Sequence, residues 1–138
     1  MSKSIEECIY HELDTSVALS SAVSERISPA SRPSSYTLPC VVYEVAAVLA
    51  LAPLSGSTDT ISGDFTVNAI AESVTGTIPA ANAIRTALDN VSGTLDGTSY
   101  SFRFLSADLS YDPPVDGADF GIFNRTLSFA FFKDAEDL

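Results

Sequence analysis

The segment Leu38–Val48, LPCVVYEVAAV, limits what this chain can fold into more than any other. In an extended conformation Val41, Tyr43, Val45 and Ala47 point to one side, and Cys40, Val42, Ala46 and Val48 to the other. Glu44 is its one charge. A strand with one face in water alternates apolar and polar residues, whereas this one needs cover on both faces. Three arrangements supply it: a central place in a well-covered sheet, a neighbouring polypeptide laid against the second face, or the long loop that follows the strand. In the second arrangement Cys40, Val42 and Glu44 are candidate subunit-interface residues.

With 138 residues the chain is expected to form one domain, residues 1–138, around a single core. Apolar residues make up 46% of it, a globular composition and not that of a disordered polymer. Its 18 acidic and 7 basic residues leave a net charge of −11. That argues against a duplex-binding groove, because phosphate contacts need clustered Lys and Arg, and here the cations are scattered from Lys3 to Lys133. The apolar run VAAVLALAPL is ten residues long, half of what a membrane helix requires. MSKSIEECIY has no apolar signal region, and Cys8 and Cys40 have no CxxC spacing. The expectation is a soluble protein, made in a reducing cytoplasm, with no membrane contact.

Ile5, Cys8 or Ile9, Leu13 and Val17 recur at helical spacing, and Ser4 with Glu7 forms a capping-box pattern; together they predict a helix over Ile5–Ser20. SPASRPSSYT reads as an irregular loop, and the opening segment follows as the first strand. GDFTVNAIAES alternates, with Phe65, Val67, Ala69 and Ala71 on one face and Thr66 and Asn68 on the other. In GTIPAANAIRTALDNVSG, Ile84, Leu88 and Val91 line a helical stripe, with Thr77 as cap, Pro79 in the first turn and Gly93 as the stop. SYSFRFLSADLSYD changes parity: Tyr100, Phe102 and Phe104 are even, while Leu105, Ala107, Leu109 and Tyr111 are odd. A period of two cannot switch parity without a bulge, placed here near Phe104–Leu105. FNRTLSFAFF is the last strand. The order α-β-β-α-β-β predicts an α+β fold, a mainly antiparallel four-stranded sheet with two helices packed on one face. Phe65, Val67, Ile84, Leu88, Phe102, Leu127 and Phe129 are its expected core, with Thr66 and Asn68 outside it.

No residue set carries catalysis. The single histidine, His11, sits in the first helix two residues off its apolar stripe, and no GxSxG surrounds any serine. His11, Cys8 and Glu12 share a helix face, yet no second cluster completes a metal site. Read as a calcium loop from Asp112, DPPVDGAD puts Pro114 at a ligand position and Phe123 where the bidentate Glu belongs. No glycine-rich phosphate cradle is present. No catalytic residue, metal or cofactor is therefore expected.

The order of the motifs is more specific than any one of them. It runs from an amphipathic N-terminal helix through the Leu-Pro-x-Val-Val-Tyr phrase of Leu38–Tyr43, GDFTVNAIA and IRTALDNVSG. An acidic loop and the Arg-x-Leu-x-Phe of Arg125–Phe129 complete it. From about Ile5 to Lys133 the chain resembles the tail-completion (tail-terminator, head–tail joining) proteins of long-tailed bacteriophages and gene transfer agents. It departs from them at Cys40, where the family more often has an aromatic residue, and in the more apolar, serine-rich stretch Ala46–Thr60.

The resemblance implies a structural virion protein, not an enzyme. It would form a homo-hexameric ring at the head-proximal end of the tail tube, in the neck of the particle. Its partners would be the tail-tube protein and the head–tail connector or stopper protein, with genomic DNA passing through the lumen without specific binding. An acidic lumen keeps a duplex sliding, and the loop bearing Asp112, Asp116 and Asp119 is the candidate lining. Two alternatives stay open: a stopper or adaptor ring on the capsid side of the joint, and a small ligand-binding α/β domain or enzyme whose pocket uses Tyr43, Tyr100 and Arg103.

Overall fold

A computed structural model describes residues 4–23, 26–29, 39–50, 60–95, 97–113 and 121–134. Three helices, α1 (Ile5–Asp14), α2 (Val17–Val23) and α3 (Val74–Leu88), accompany six strands. These are β1 (Ile27–Pro29), β2 (Cys40–Ala50), β3 (Thr60–Ala71), β4 (Val91–Leu95), β5 (Thr98–Asp112) and β6 (Ile122–Asp134). They form one sheet in the order β1-β2-β3-β6-β5-β4, curled into a half-barrel. β1 lies parallel to β2, and all other neighbours are antiparallel.

The expected four-stranded sheet with two helices is thus corrected to a six-stranded mixed sheet with three. Each difference has a local cause. β1 occupies the start of the segment expected to be irregular, pairing Ile27 with Val41 and Pro29 with Tyr43; three residues are too few to show a period. β4 was hidden because Val91 continues the α3 stripe in phase. The helix instead ends at Leu88, and Asn90 turns the chain with φ 55°, a left-handed conformation that Asn tolerates better than most residues. Gly93 is no helix stop. It stands across from Tyr100 in β4, where an added Cβ would lie 2.8 Å from the tyrosine hydroxyl.

The helix expected over Ile5–Ser20 breaks in two. Ser4 caps α1 by accepting the Glu7 N–H, as the sequence pattern implies. At its other end the Thr15 hydroxyl donates to the His11 carbonyl, and the Ser16 hydroxyl accepts the Leu19 N–H to begin α2. Val17, expected on the buried stripe, is left 81% exposed by that break. α3 starts one turn earlier than expected. Ser73 is the cap, accepting the Gly76 N–H at 3.0 Å, while Thr77 is buried inside the helix and Pro79 lies beyond the first turn.

One core fills the space between the helices and the sheet face carrying Val41, Phe65, Val67, Phe102, Leu127 and Phe129. Phe65 is its centre, stacked on Phe129 at 5.2 Å and meeting Phe102 edge-on at 5.1 Å. Ile84 and Leu88 close it from α3. Asn68, expected outside the core, is on the opposite face yet 9% exposed. Its amide donates to the Val42 carbonyl at 3.2 Å, and its carbonyl accepts the Thr126 hydroxyl at 2.7 Å, so β2, β3 and β6 are cross-linked. Those bonds let a polar side chain be buried there.

Leu88→Ala should lower stability by about 2–5 kcal/mol, since the side chain is fully enclosed. Urea unfolding with an unchanged slope would confirm a packing loss; an unmoved midpoint would show that Leu88 does not close the core.

Candidate functional site

The sheet is least covered along the distal part of β5, which forms a hairpin with β6. β4 pairs with β5 only between Thr98 and Phe102, so from Arg103 to Asp112 no described strand lies on that side. The register of β5 against β6 shifts between Phe104 and Ser106, a bulge at Leu105 where the parity change requires one. The extra residue turns Ala107, Leu109 and Tyr111 onto the same side as Leu127, Arg125 and Phe123. That side is the core face, yet Leu109 is 43% and Tyr111 49% exposed. Tyr111 packs on Phe123 with ring centres 4.6 Å apart and lies over Gly121, where any side chain would collide with its ring.

α3 holds this hairpin at two points. At the C-terminal end of the helix, the Arg85 guanidinium lies 4.7 Å over the Phe104 ring and 4.0 Å from the Asp89 carboxylate. Asp89 also accepts the Phe104 N–H at 3.3 Å, taking over from β4 where the ladder ends. In the first turns of the helix, the Thr77 hydroxyl accepts the Arg125 Nε–H at 3.2 Å. Sequence reasoning missed both clasps. The available signal for the first was the i, i+4 spacing of Arg85 and Asp89, a pair that also marks solvated helices.

The candidate residues are dispersed. Asp112 ends β5 and is exposed; Asp116 and Asp119 lie outside the described residues. Cys40 and Val42 are buried within the subunit on the sheet face opposite the helices, and Glu44 is exposed. Tyr43, Tyr100 and Arg103 do not converge. Tyr43 borders an open groove of about 450 Å3 against α1, with Glu6, Tyr10, His11 and Asp14. Tyr100 is enclosed between sheet and α1, its hydroxyl donating to the Glu12 carboxylate. Arg103 points to the other face of β5, opposite Ala130. Both cysteines are free and buried, and among the described residues no three His, Cys, Asp or Glu side chains come together as metal ligands.

Burial raises the Tyr100 hydroxyl above its ordinary value near 10, and the Glu12 carboxylate adds to the shift through its hydrogen bond and charge. Tyr43 is raised too, by burial first and then by Tyr10 and Glu6.

No protein-family profile matches the chain, and no curated protein matches it. Among solved structures, a chain from the virion of a native gene transfer agent particle superposes with a TM-score of 0.76, covering 96% of each chain at 18% identity. The two share a fold. A second solved chain aligns over 93% of this one at 13% identity with a TM-score of 0.47.

Protonated Tyr43 and Tyr100 contribute stability that is complete below pH 10 and lost as pH rises through their elevated folded values. Melting temperature should therefore fall above pH 10, with phenolate absorbance from Tyr100 appearing as the fold is lost. Tyr100→Phe should flatten that alkaline slope while costing about 1–3 kcal/mol near neutrality, because Glu12 loses its donor. An unchanged slope would place the alkaline transition elsewhere.

Proposed function

We propose that this chain is a structural protein of a phage-like virion, and within it the tail-completion ring. The observation that carries the virion role is the end-to-end fold shared with a gene transfer agent virion chain, 96% of both chains at a TM-score of 0.76. The tail-completion role adds the motif order from the N-terminal helix to Arg125–Phe129. Neither rests on a catalytic centre.

In this role six subunits stand at the head-proximal end of the tail tube, one side of the ring ending the tube and the other meeting the connector. Rings of this kind use exposed apolar surface for association, and the hairpin with Leu109 and Tyr111 offers it. The charge of −11 suits a conduit, since a lumen without clustered cations does not grip phosphates. The acidic loop with Asp112, Asp116 and Asp119 is the proposed lining, acting over about 8 Å in physiological salt.

Cryo-electron microscopy of purified particles should locate six copies between tail tube and connector. A ring of another number on the capsid side would assign the stopper role instead, and particles lacking the chain would end the proposal. Replacing Asp112, Asp116 and Asp119 by Lys should leave particles assembled and slow genome ejection, most at low salt. Normal ejection kinetics would remove the loop from the lumen.

A further inference from the structure

Along α1, Glu6, Tyr10 and Asp14 follow one another at four-residue spacing, and with Tyr43 of β2 and Leu95 of β4 they border the open groove of about 450 Å3. Two features set it apart from a solvated helix face. The first is Tyr43. Its side chain is 5% exposed, yet among the described residues its hydroxyl makes no hydrogen bond. Every enclosed polar side-chain atom of the described residues has a partner, so this hydroxyl opens on the groove that Tyr43 lines. Burial raises the hydroxyl most, and the charges of Tyr10 and then Glu6 add to the shift, so both stand close to it. The Tyr10 ring, 40% exposed, lies 6.5 Å from that of Tyr43.

The second feature is charge. Glu6, Glu7 and Asp14 border the groove, His11 is its one imidazole, and no Lys or Arg lines it. The Glu7 carboxylate accepts the Ser4 hydroxyl, but among the described residues those of Glu6 and Asp14 are paired with no cation. An open aromatic ring beside a free carboxylate and an unbonded hydroxyl fits a guanidinium, its flat face on Tyr10 and its N–H groups directed at the oxygens of Glu6 and Tyr43. Asp14 lies two turns further on, about 12 Å along the helix, where it can meet a second cation of the same segment.

A second copy of this chain is poorly equipped to bring those cations. It repeats the charge of −11. Of its described cations, Arg26 donates to the Pro39 carbonyl, Arg85 is paired with Asp89, Arg125 is held by Thr77, and Lys133 is buried. A basic partner, by contrast, is drawn by the charge of the whole molecule as well as by the groove. We infer that the groove between α1 and Tyr43 binds an arginine-bearing basic segment of a different protein. In the virion role proposed above, that protein is a neighbouring component of the particle; the contact itself stands without that role.

The test follows the isotope-labelled full-length chain by NMR during titration with the acetylated, amidated peptide Gly-Arg-Leu-Gly-Leu-Arg-Gly, whose arginines lie about 13 Å apart when extended. Amide shifts should concentrate in α1 and around Tyr43. Glu6→Gln and Tyr43→Phe should each weaken binding about threefold, and Glu6→Lys about tenfold. Glu72→Lys, the same charge change at an exposed residue outside the groove, should leave affinity within about twofold. The spectra show at the same time that each variant is folded. Shifts scattered over the acidic surface, or a loss with Glu72→Lys as large as with Glu6→Lys, would reduce the contact to general attraction and overturn the inference. So would spermidine binding the groove as tightly as the peptide, which would make the ligand a small polyamine, or concentration-dependent shifts there without peptide, which would make it a second copy. Failure of the virion role reads differently: particles lacking the chain would sink that role while the groove still bound the peptide.

Discussion

A strand cannot change the face it buries unless one residue is left over, and in β5 that residue is Leu105. Before it, Tyr100 and Phe102 seal the core against α1 and Phe65. After it, the same strand continues as the open edge of the sheet, with its apolar side on the face of Leu127 and Phe123. A bulge by itself is a weak point in a ladder, because one backbone group loses its partner. Beside the bulge, on the side where β4 has ended, Asp89 accepts the Phe104 N–H and Arg85 covers the ring. The helix that closes the core therefore also holds β5 at its bulge.

The bulge and the core were legible because both depend on period. Alternation in Phe65–Ala71 and the parity change in Tyr100–Tyr111 are properties of the sequence itself, whatever packs against it. The edge strands were not legible. β1 is too short to have a period, and Val91 fits a helical stripe as well as it fits β4, so only the turn at Asp89–Asn90 decides between them. Helix ends went astray for a related reason. Ser73 and Thr77 both suit a cap; the stronger capper, Ser73, takes the role, while the Thr77 hydroxyl accepts from Arg125 inside the helix. As for the candidate site, the individual residues were visible but their grouping was not. Tyr43, Tyr100 and Arg103 are all noticeable in the sequence, and the strands carry them to different surfaces.

The second face of β2, with its missing polar side, is resolved in part by Asn68. Cys40 and Val42 are buried, and the Val42 carbonyl is met by the Asn68 amide, which reaches across from β3 and is itself anchored by Thr126. A polar side chain fully bonded on both ends behaves as a strut: it tolerates burial and sets the spacing of three strands at once. The strands β2, β3 and β6 are thus tied together at one level of the sheet.

The long register between β3 and β6, from Thr60 opposite Asp134 to Ala71 opposite Phe123, bears on how the molecule withstands force. A pull along the strand axis loads every rung of this ladder together, in shear, whereas a pull across it opens the rungs one at a time like a zip. β6 runs from the hairpin straight through the middle of the sheet. Tension along β6 is therefore shared over the whole β3 ladder, with the Thr77–Arg125 bond of α3 alongside it.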